Sequence, residues 1–103
     1  MKRKTYKLSK LEKNRKSIVT DNLDVCFICG RTKDHLHEVF YGNNRINSMK
    51  YGCIIPICGF CHQQIHNDIQ LDYKIKKLVE KAFLKVYKCD EDYFVSIFHF
   101  NYL

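Results

Sequence analysis

The chain has 103 residues and a formal net charge of +7, and it contains six cysteines. This length is typical of one small domain, which often needs a metal ion or a partner to stabilise it. No apolar run approaches the ~18 residues of a membrane span, and the basic start is not followed by the apolar core of a signal peptide. We therefore expect a soluble intracellular protein without membrane association, with its cysteines as metal ligands or buried thiols rather than disulfides.

Residues 1–22 form a basic arm that is rich in lysine and arginine and has little apolar periodicity. Two interpretations stay open, a solvated tail or a segment that contacts phosphate groups. In the second, Lys2, Arg3 and Lys4 are the expected phosphate contacts. Residues 23–103 are predicted to form a single domain.

Two short apolar runs are predicted to pair as strands. The first, HLHEVF at 35–40, is rich in β-formers and is followed by the turn YGNNR, and the second is CIIPI at 53–57. Pro56 lacks an amide hydrogen, so we expect it at a strand end or on an edge strand. After Cys58 the spacing becomes helical, with side chains at offsets of three and four: His62, Ile65, His66 and Ile69.

Two further helices are predicted in the C-terminal third. Residues 70–88 place apolar side chains on one stripe opposite a lysine face: Leu71, Ile75, Leu78, Val79, Ala82, Phe83 and Val86. Such a stripe is typical of a helix that packs on a core. Asp90 is expected to cap a last helix, EDYFVSIF, whose phenylalanines pack back on the same core. The predicted fold class is therefore α+β.

Two C-x-x-C pairs predict a structural zinc site, formed by Cys26 with Cys29 and Cys58 with Cys61. Each tight turn can direct two thiolates to one ion, and two turns supply the tetrahedral sulfur set that zinc prefers. A redox dithiol and unliganded thiols are the alternatives, which the paired spacing disfavours.

Other residues around these pairs carry separate expectations. Gly30 and Gly59 are expected to adopt positive φ in the two turns. Cys53 and Cys89 have no partner at ligand spacing, so we expect them to be buried hydrophobic side chains.

A histidine pair predicts a second site. His62 and His66 lie four residues apart on one helix face, so their imidazoles can take adjacent corners of one metal site. Cys61 and His62 are neighbours and point about 100° apart on a helix, so we do not expect them to share an ion.

A third ligand for the histidine site is expected from DHLHEVF. Strand alternation places His35 and His37 on one side and Glu38 on the other. We expect His37 to complete the site with the helical pair, whereas the residues alone favour a solvent-facing His35.

The stretch LHEVFYGNNRINSMKYGCIIPIC with CHQQIH, followed by a lysine-rich helix and the ending FNYL, resembles the HNH group of ββα-metal nucleases. More closely, it resembles the small phage HNH-like proteins of low-GC Gram-positive bacteria, from about Val25 to Leu103. The resemblance implies a zinc-stabilised ββα-metal core with additional C-terminal helices. It also implies a phage-encoded DNA endonuclease or nickase in the cytoplasm of the bacterial host, hydrolysing phosphodiester bonds with a metal ion.

The resemblance gives each residue of the histidine site a role. His37, His62 and His66 would hold one catalytic divalent metal, Zn²⁺, Ni²⁺, Mn²⁺ or Mg²⁺, beside the structural Zn²⁺ of the cysteines. Glu38 falls where the family has its general-base histidine. Either Glu38 or His35 would then activate the attacking water, or hydrolysis has been weakened or lost.

The expected partner is nucleic acid, in the form of double-stranded DNA. Arg45 and Lys50 are expected to bind flanking phosphates together with the arm, which would make binding sensitive to salt. For Asn44, in the segment between the strands, we expect a turn-forming role.

Two alternatives to the nuclease stay open. The first is a catalytically weakened HNH-derived zinc module that binds nucleic acid or a host protein, as a phage accessory or anti-defence factor. The second is a zinc-finger transcription regulator with no second metal, which requires His37 to lie far from the helical histidine pair.

Overall fold

A computed structural model describes residues 10–11 and 13–103, so Lys2, Arg3 and Lys4 lie outside the described residues. The elements follow in chain order: strand β1 (His35–Glu38), a 3-10 turn (Gly42–Asn44), helix α1 (Arg45–Tyr51), strand β2 (Ile54–Ile57), and helices α2 (Gly59–Asn67), α3 (Ile69–Val86) and α4 (Glu91–Phe98). Helices combined with an antiparallel sheet confirm the predicted α+β class. None of the helices in this described part is long and apolar enough to cross a membrane.

The two strands pair antiparallel, as the sequence predicts, with His37 opposite Ile55. Pro56 lies within β2, and in a two-stranded sheet each strand is an edge, so its place on an edge strand agrees with the expectation. The Pro56 carbonyl accepts a hydrogen bond from the Phe27 amide at 2.8 Å. This bond brings the first C-x-x-C pair against β2.

Helix α1 between the strands is not among the sequence predictions. Ser48, which is fully buried, joins this helix to the end of β1, because its Oγ accepts from the Phe40 amide (3.1 Å) and donates to the Phe40 carbonyl (2.6 Å). Gly52 ends the helix with φ of +75°, a conformation that glycine adopts without steric cost. The connection is therefore an ordered element rather than a loop.

Helices α2 and α3 meet at Asp68, whose carboxylate accepts the amides of Gln70 and Leu71 and so caps α3. The expectation that Ile69 continues the histidine helix is wrong, because α2 ends at Asn67 and Ile69 is 82% exposed. The long helix follows the predicted range closely. Its buried stripe is narrower than expected, since Leu78 and Val86 are exposed.

Helix α4 packs on the core as expected, and Asp90 caps it by accepting the Tyr93 amide at 3.0 Å. Phe94 and Phe98 are buried, and the Phe98 ring lies 4.6 Å from the Phe40 ring between centroids. Phe40 lies two residues after the end of β1. The aromatic core therefore joins this strand to the C-terminal helices.

The end of α4 is held by two asparagines from the segment between the strands. Asn44 Nδ2 donates to the Phe98 carbonyl (3.0 Å), and Asn47 Nδ2 donates to the Ile97 carbonyl (3.2 Å). Asn44 does lie in a turn, as expected. Its side chain also satisfies a helix-end carbonyl, which otherwise has no partner within its helix.

The last part of the basic arm contacts the domain. The Ile18 amide donates to the Gly52 carbonyl at 2.9 Å, and Ile18 and Val19 are half-buried against the core. A Cβ atom at position 52 would lie 3.0 Å from Ile18 Cγ2, so glycine permits this close approach.

We expect Ser48→Ala to lower the free energy of unfolding of the zinc-loaded protein by about 1–3 kcal/mol, because it leaves the buried Phe40 amide and carbonyl without their side-chain partner. Urea unfolding followed by circular dichroism measures this loss. Ser96→Ala is the matched control, since Ser96 is exposed and its removal should cost at most about 0.5 kcal/mol. Equal losses in the two variants would contradict a bracing role for Ser48.

Candidate metal centre and histidine site

The four cysteines of the C-x-x-C pairs form one compact cluster. The Sγ atoms of Cys26, Cys29, Cys58 and Cys61 all lie within 4.8 Å of one another, and those of Cys29 and Cys58 are 3.6 Å apart. Zinc–sulfur bonds of about 2.3 Å in a tetrahedron require sulfur atoms about 3.8 Å apart. The cluster can therefore hold one metal ion such as zinc.

Backbone hydrogen bonds shape the first cysteine turn. The Gly30 amide donates to the Cys26 carbonyl at 2.9 Å, and Gly30 has the expected positive φ, +79°. The Cys26 amide in turn donates to the Arg31 carbonyl, closing the loop. The pair is thereby held in a tight turn that ends beside β2.

The second cysteine turn is the start of α2. Cys58 is the N-cap, and its Sγ accepts the Cys61 amide at 3.4 Å. The expectation of positive φ at Gly59 is wrong, because Gly59 is the first helical residue. The Gly59 amide donates a hydrogen bond to Asp34 Oδ2 at 2.5 Å. A Cβ atom at position 59 would lie 3.3 Å from the same oxygen, so the absence of a side chain leaves room for this bond.

The surroundings of Cys26 and Cys61 shift the pKa values of their thiols in opposite directions. Burial opposes ionisation of Cys26, but hydrogen bonds from the backbone of Cys29, Cys58 and Ile28 lower the pKa of its thiol to about 6. Burial raises the pKa of Cys61. The hydrogen bonds thus favour the thiolate form of Cys26, whereas a metal bound by Cys61 would have to displace its proton.

The two remaining cysteines lie outside the cluster. Cys53 is fully buried, and burial raises the pKa of its thiol to about 12, so it packs as the expected small hydrophobic side chain. Cys89 is half-buried, so the same expectation is met only in part.

Histidines from β1 and α2 meet on one side of the sheet. His62 and His66 on α2 have their Nε2 atoms 3.2 Å apart. The His62 ring lies 5.2 Å from that of His37 and 5.0 Å from that of His35, between centroids. The predicted strand alternation is therefore confirmed for the two β1 histidines. The zinc-finger regulator, which requires a distant His37, does not agree with these contacts.

His37 carries a buried nitrogen without a partner. The residue is 6% exposed, and its Nε2 atom makes no hydrogen bond. Burial, and then repulsion from His62, lower the pKa of His37 to about 4, so it is neutral at pH 7. Neutral imidazole is the ligand form, and buried polar atoms are normally satisfied, so the donor chemistry fits a divalent ion.

The compact group of metal-ligand atoms in the described residues is formed by the cysteines and not by the histidines. Within the ranges that the structure describes, the four cysteines form such a group, and their Sγ atoms all lie within 4.8 Å of one another. The three histidines predicted as ligands share a face and ring contacts, but not this compactness.

Glu38 faces two arginines. Its Oε1 atom accepts a hydrogen bond from Arg15 Nη2 at 2.7 Å and forms an ion pair with Arg45 Nε at 3.4 Å. Both arginines are partly exposed. Lys50, the other expected phosphate contact, is exposed, with its Nζ atom 5.7 Å from the centroid of the Tyr51 ring.

Sequence reasoning missed a polar group beside His37. The Tyr41 ring lies 6.1 Å from that of His37, and its hydroxyl donates to Asp72 Oδ2 at 2.9 Å. Lys76 pairs with the same Asp72 oxygen at 3.1 Å. The Asp72 and Lys76 spacing of four residues is visible in the sequence, but their position beside Tyr41 is not.

Comparison of the chain with protein-family models, with curated proteins and with solved structures gives no match. The functional argument therefore depends on the residues and their geometry.

We expect Cys29→Ala to weaken zinc binding and to lower the free energy of unfolding by at least about 3 kcal/mol, a share of the ~10 kcal/mol typical of a structural zinc site. Cys29 is exposed, so its substitution leaves no core cavity. Metal content after dialysis and thermal unfolding measure the effect, and Cys89→Ala is the control that should retain zinc. Full zinc retention by Cys29→Ala would contradict the four-thiolate site.

We expect stability to fall between pH 7 and pH 5 when the histidines are free of metal. The unfolded chain protonates His37 below about 6.5, whereas the folded chain does so only near 4, so acid favours the unfolded state across this interval. The loss from this residue amounts to about 2 kcal/mol. His37→Gln should reduce the pH dependence by that amount, whereas the control His99→Asn, at an exposed position, should leave it unchanged. An identical pH profile for wild type and His37→Gln would contradict the assignment.

Proposed function

We propose that this chain is a metal-dependent nuclease of the HNH type, which hydrolyses phosphodiester bonds in nucleic acid. The supporting observation is the meeting of His37 from β1 with His62 and His66 from α2, where His37 contributes a buried nitrogen without a partner. An antiparallel strand pair followed by a helix, with a cysteine cluster at the junction, agrees with the resemblance seen in the sequence.

His37, His62 and His66 would hold the catalytic ion. Such an ion supplies positive charge to a phosphate oxygen and to the leaving oxygen, where negative charge develops. Three neutral imidazoles suit Zn²⁺, Ni²⁺ or Mn²⁺, whereas Mg²⁺ prefers more oxygen ligands.

In this proposal His35 takes the proton from the attacking water. It is exposed, and it lies on the same side of β1 as His37. Imidazole is the most frequent general base in enzymes. Glu38 is the weaker candidate, because taking up a proton would cost it the ion pairs with Arg15 and Arg45.

Glu38 instead acts as a positioning residue. Its carboxylate holds the guanidinium groups of Arg15 and Arg45 beside the strand that carries His37. Guanidinium groups bind phosphate oxygens in pairs of hydrogen bonds, so a fixed arginine pair would orient the backbone of the nucleic acid. The overall charge of +7 favours the same partner.

The second candidate function is a zinc module of the same fold that binds nucleic acid without cutting it. The engagement of Glu38 by two arginines favours this candidate, because a carboxylate at the position of the general base is then unavailable to water. Among the described residues, the compact group of ligand atoms that could hold a metal is the cysteine cluster, which favours this candidate as well.

Plasmid nicking by the zinc-loaded chain, with and without added Mn²⁺, Ni²⁺ or Mg²⁺, distinguishes the two candidates. We expect two ions per chain and metal-dependent nicking, with His66→Ala abolishing nicking while the far-UV circular dichroism is unchanged. His99→Ala is the control and should remain active. One ion per chain and DNA binding without cleavage, over a range of pH, would favour the binding module.

The same assay separates the roles of His35 and Glu38. His35→Gln should lower kcat by a factor of about 10² to 10⁴ and flatten its pH profile, as expected for loss of a general base. Glu38→Gln should raise KM more than it lowers kcat and should keep the profile, because it releases the arginines. The reverse pattern would identify Glu38 as the base.

A further inference from the structure

Aromatic side chains gather on the surface beside the histidine site. This aromatic platform consists of Tyr41, Tyr73, Phe100 and Tyr102, of which the first three are 47%, 39% and 53% exposed. Exposed aromatic rings that adjoin one another are uncommon on soluble proteins unless they bind something.

The platform adjoins the histidine site at Tyr41, which shares Lys76 with Tyr102. From the Tyr102 ring, the Tyr73 centroid lies 5.5 Å away and the Phe100 centroid 4.7 Å away. Tyr41 lies at the other end, 6.1 Å from His37. One member of the platform therefore lies beside the proposed place of cleavage.

The platform is also held in place before any ligand binds. The Tyr102 amide donates to the buried Glu80 carboxylate at 2.8 Å, and the Tyr102 ring stacks on Phe40 with centroids 5.4 Å apart. The Tyr41 hydroxyl is fixed by Asp72. Rings that are already ordered cost little conformational entropy when they bind a partner.

Lysines lie between the rings. Lys76 Nζ is 4.2 Å from the Tyr41 centroid and 5.5 Å from that of Tyr102, and Lys77 Nζ is 5.2 Å from that of Tyr73. Asp72 neutralises Lys76 in part, whereas Lys77 is exposed. Rings for bases and cations for phosphates are the combination that binds single-stranded nucleic acid, because every unpaired base offers a face for stacking.

We propose that the aromatic platform binds the unpaired bases of single-stranded nucleic acid. The next step rests on the proposed nuclease function. If the chain is a nuclease, its substrate is a single-stranded stretch or a junction between paired and unpaired strands. A duplex keeps its base faces stacked inside and uses the platform poorly.

Binding to a fluorescently labelled oligothymidine, measured by anisotropy with the zinc-loaded full chain and no added divalent metal, tests the platform without cleavage. The double variant Tyr73→Leu with Phe100→Leu should bind about tenfold or more weakly, because each stacked base contributes substantially to affinity. Its affinity for a duplex of the same length should change less than about twofold, since phosphate contacts persist. Tyr73→Phe with Phe100→Tyr keeps both rings and should bind as wild type does.

Tyr93→Leu is the matched control and should leave binding unchanged. Tyr93 is 46% exposed and stacks near Phe83, 6.2 Å away between centroids. Phe83 lies ten residues along α3 from Tyr73, or about 15 Å. The same measurement with oligouridine distinguishes RNA from DNA as the source of the bases. Tighter binding to either single strand than to duplex supports the inference.

Unchanged oligothymidine affinity in the double leucine variant, or equal losses on single strand and duplex, would overturn the inference. Failure of the nuclease proposal gives a different result: wild-type chain that does not nick DNA, while the double leucine variant still loses oligothymidine affinity, would reject the nuclease and retain the platform. Conversely, nicking that persists in a double leucine variant with unaltered oligothymidine binding would retain the nuclease and reject the platform.

Discussion

The cysteine cluster fixes the relation between the sheet and α2, and the histidine site depends on that relation. Each strand has four residues, and a two-stranded sheet of this size has little stability in water by itself. Cys58 belongs to the cluster and also caps α2, so a metal held there would set the start of the helix that carries His62 and His66. The amide of Phe27, between the first two cysteines, bonds to β2.

The aromatic core makes a second connection, between β1 and the C-terminal helices. Phe40 packs against Phe94 and Phe98, and Glu80 of α3 binds the Tyr102 amide from a fully buried position. This hydrogen bond lies in the interior, and the same burial raises the pKa of the Glu80 carboxyl. The C-terminal segment is thereby held within reach of the side chains that surround His37.

Local patterns predicted much of this molecule. Cysteine spacing predicted the thiolate cluster, period-two alternation placed His35 and His37 on one side, and Asp90 was expected to cap the last helix. These features depend on residues that are close in sequence. Helix α1 was missed because RINSMKY is short and mixes polar with apolar residues, so it carries no strong helical periodicity.

Long-range pairings could not be predicted in the same way. Arg15 and Glu38 are 23 residues apart, and Asn44 and Phe98 are 54 apart, so no periodicity joins them. The resemblance to HNH nucleases makes Glu38 a candidate catalytic base, whereas tertiary contacts give its carboxylate two arginine partners. Leu78 and Val86 are also exposed, which the apolar periodicity of the helix does not predict.

Gly52 serves two structural roles, at the end of α1 and in the contact with Ile18. Its backbone ends α1 in a left-handed conformation, and its bare Cα lets Ile18 approach so closely that an added methyl group would require Ile18 to shift. Ile18 lies three residues after Arg15, which pairs with Glu38. One added methyl group at position 52 would thus strain a helix end and also displace the segment that anchors Arg15, altering the charge beside β1 without touching a titratable residue.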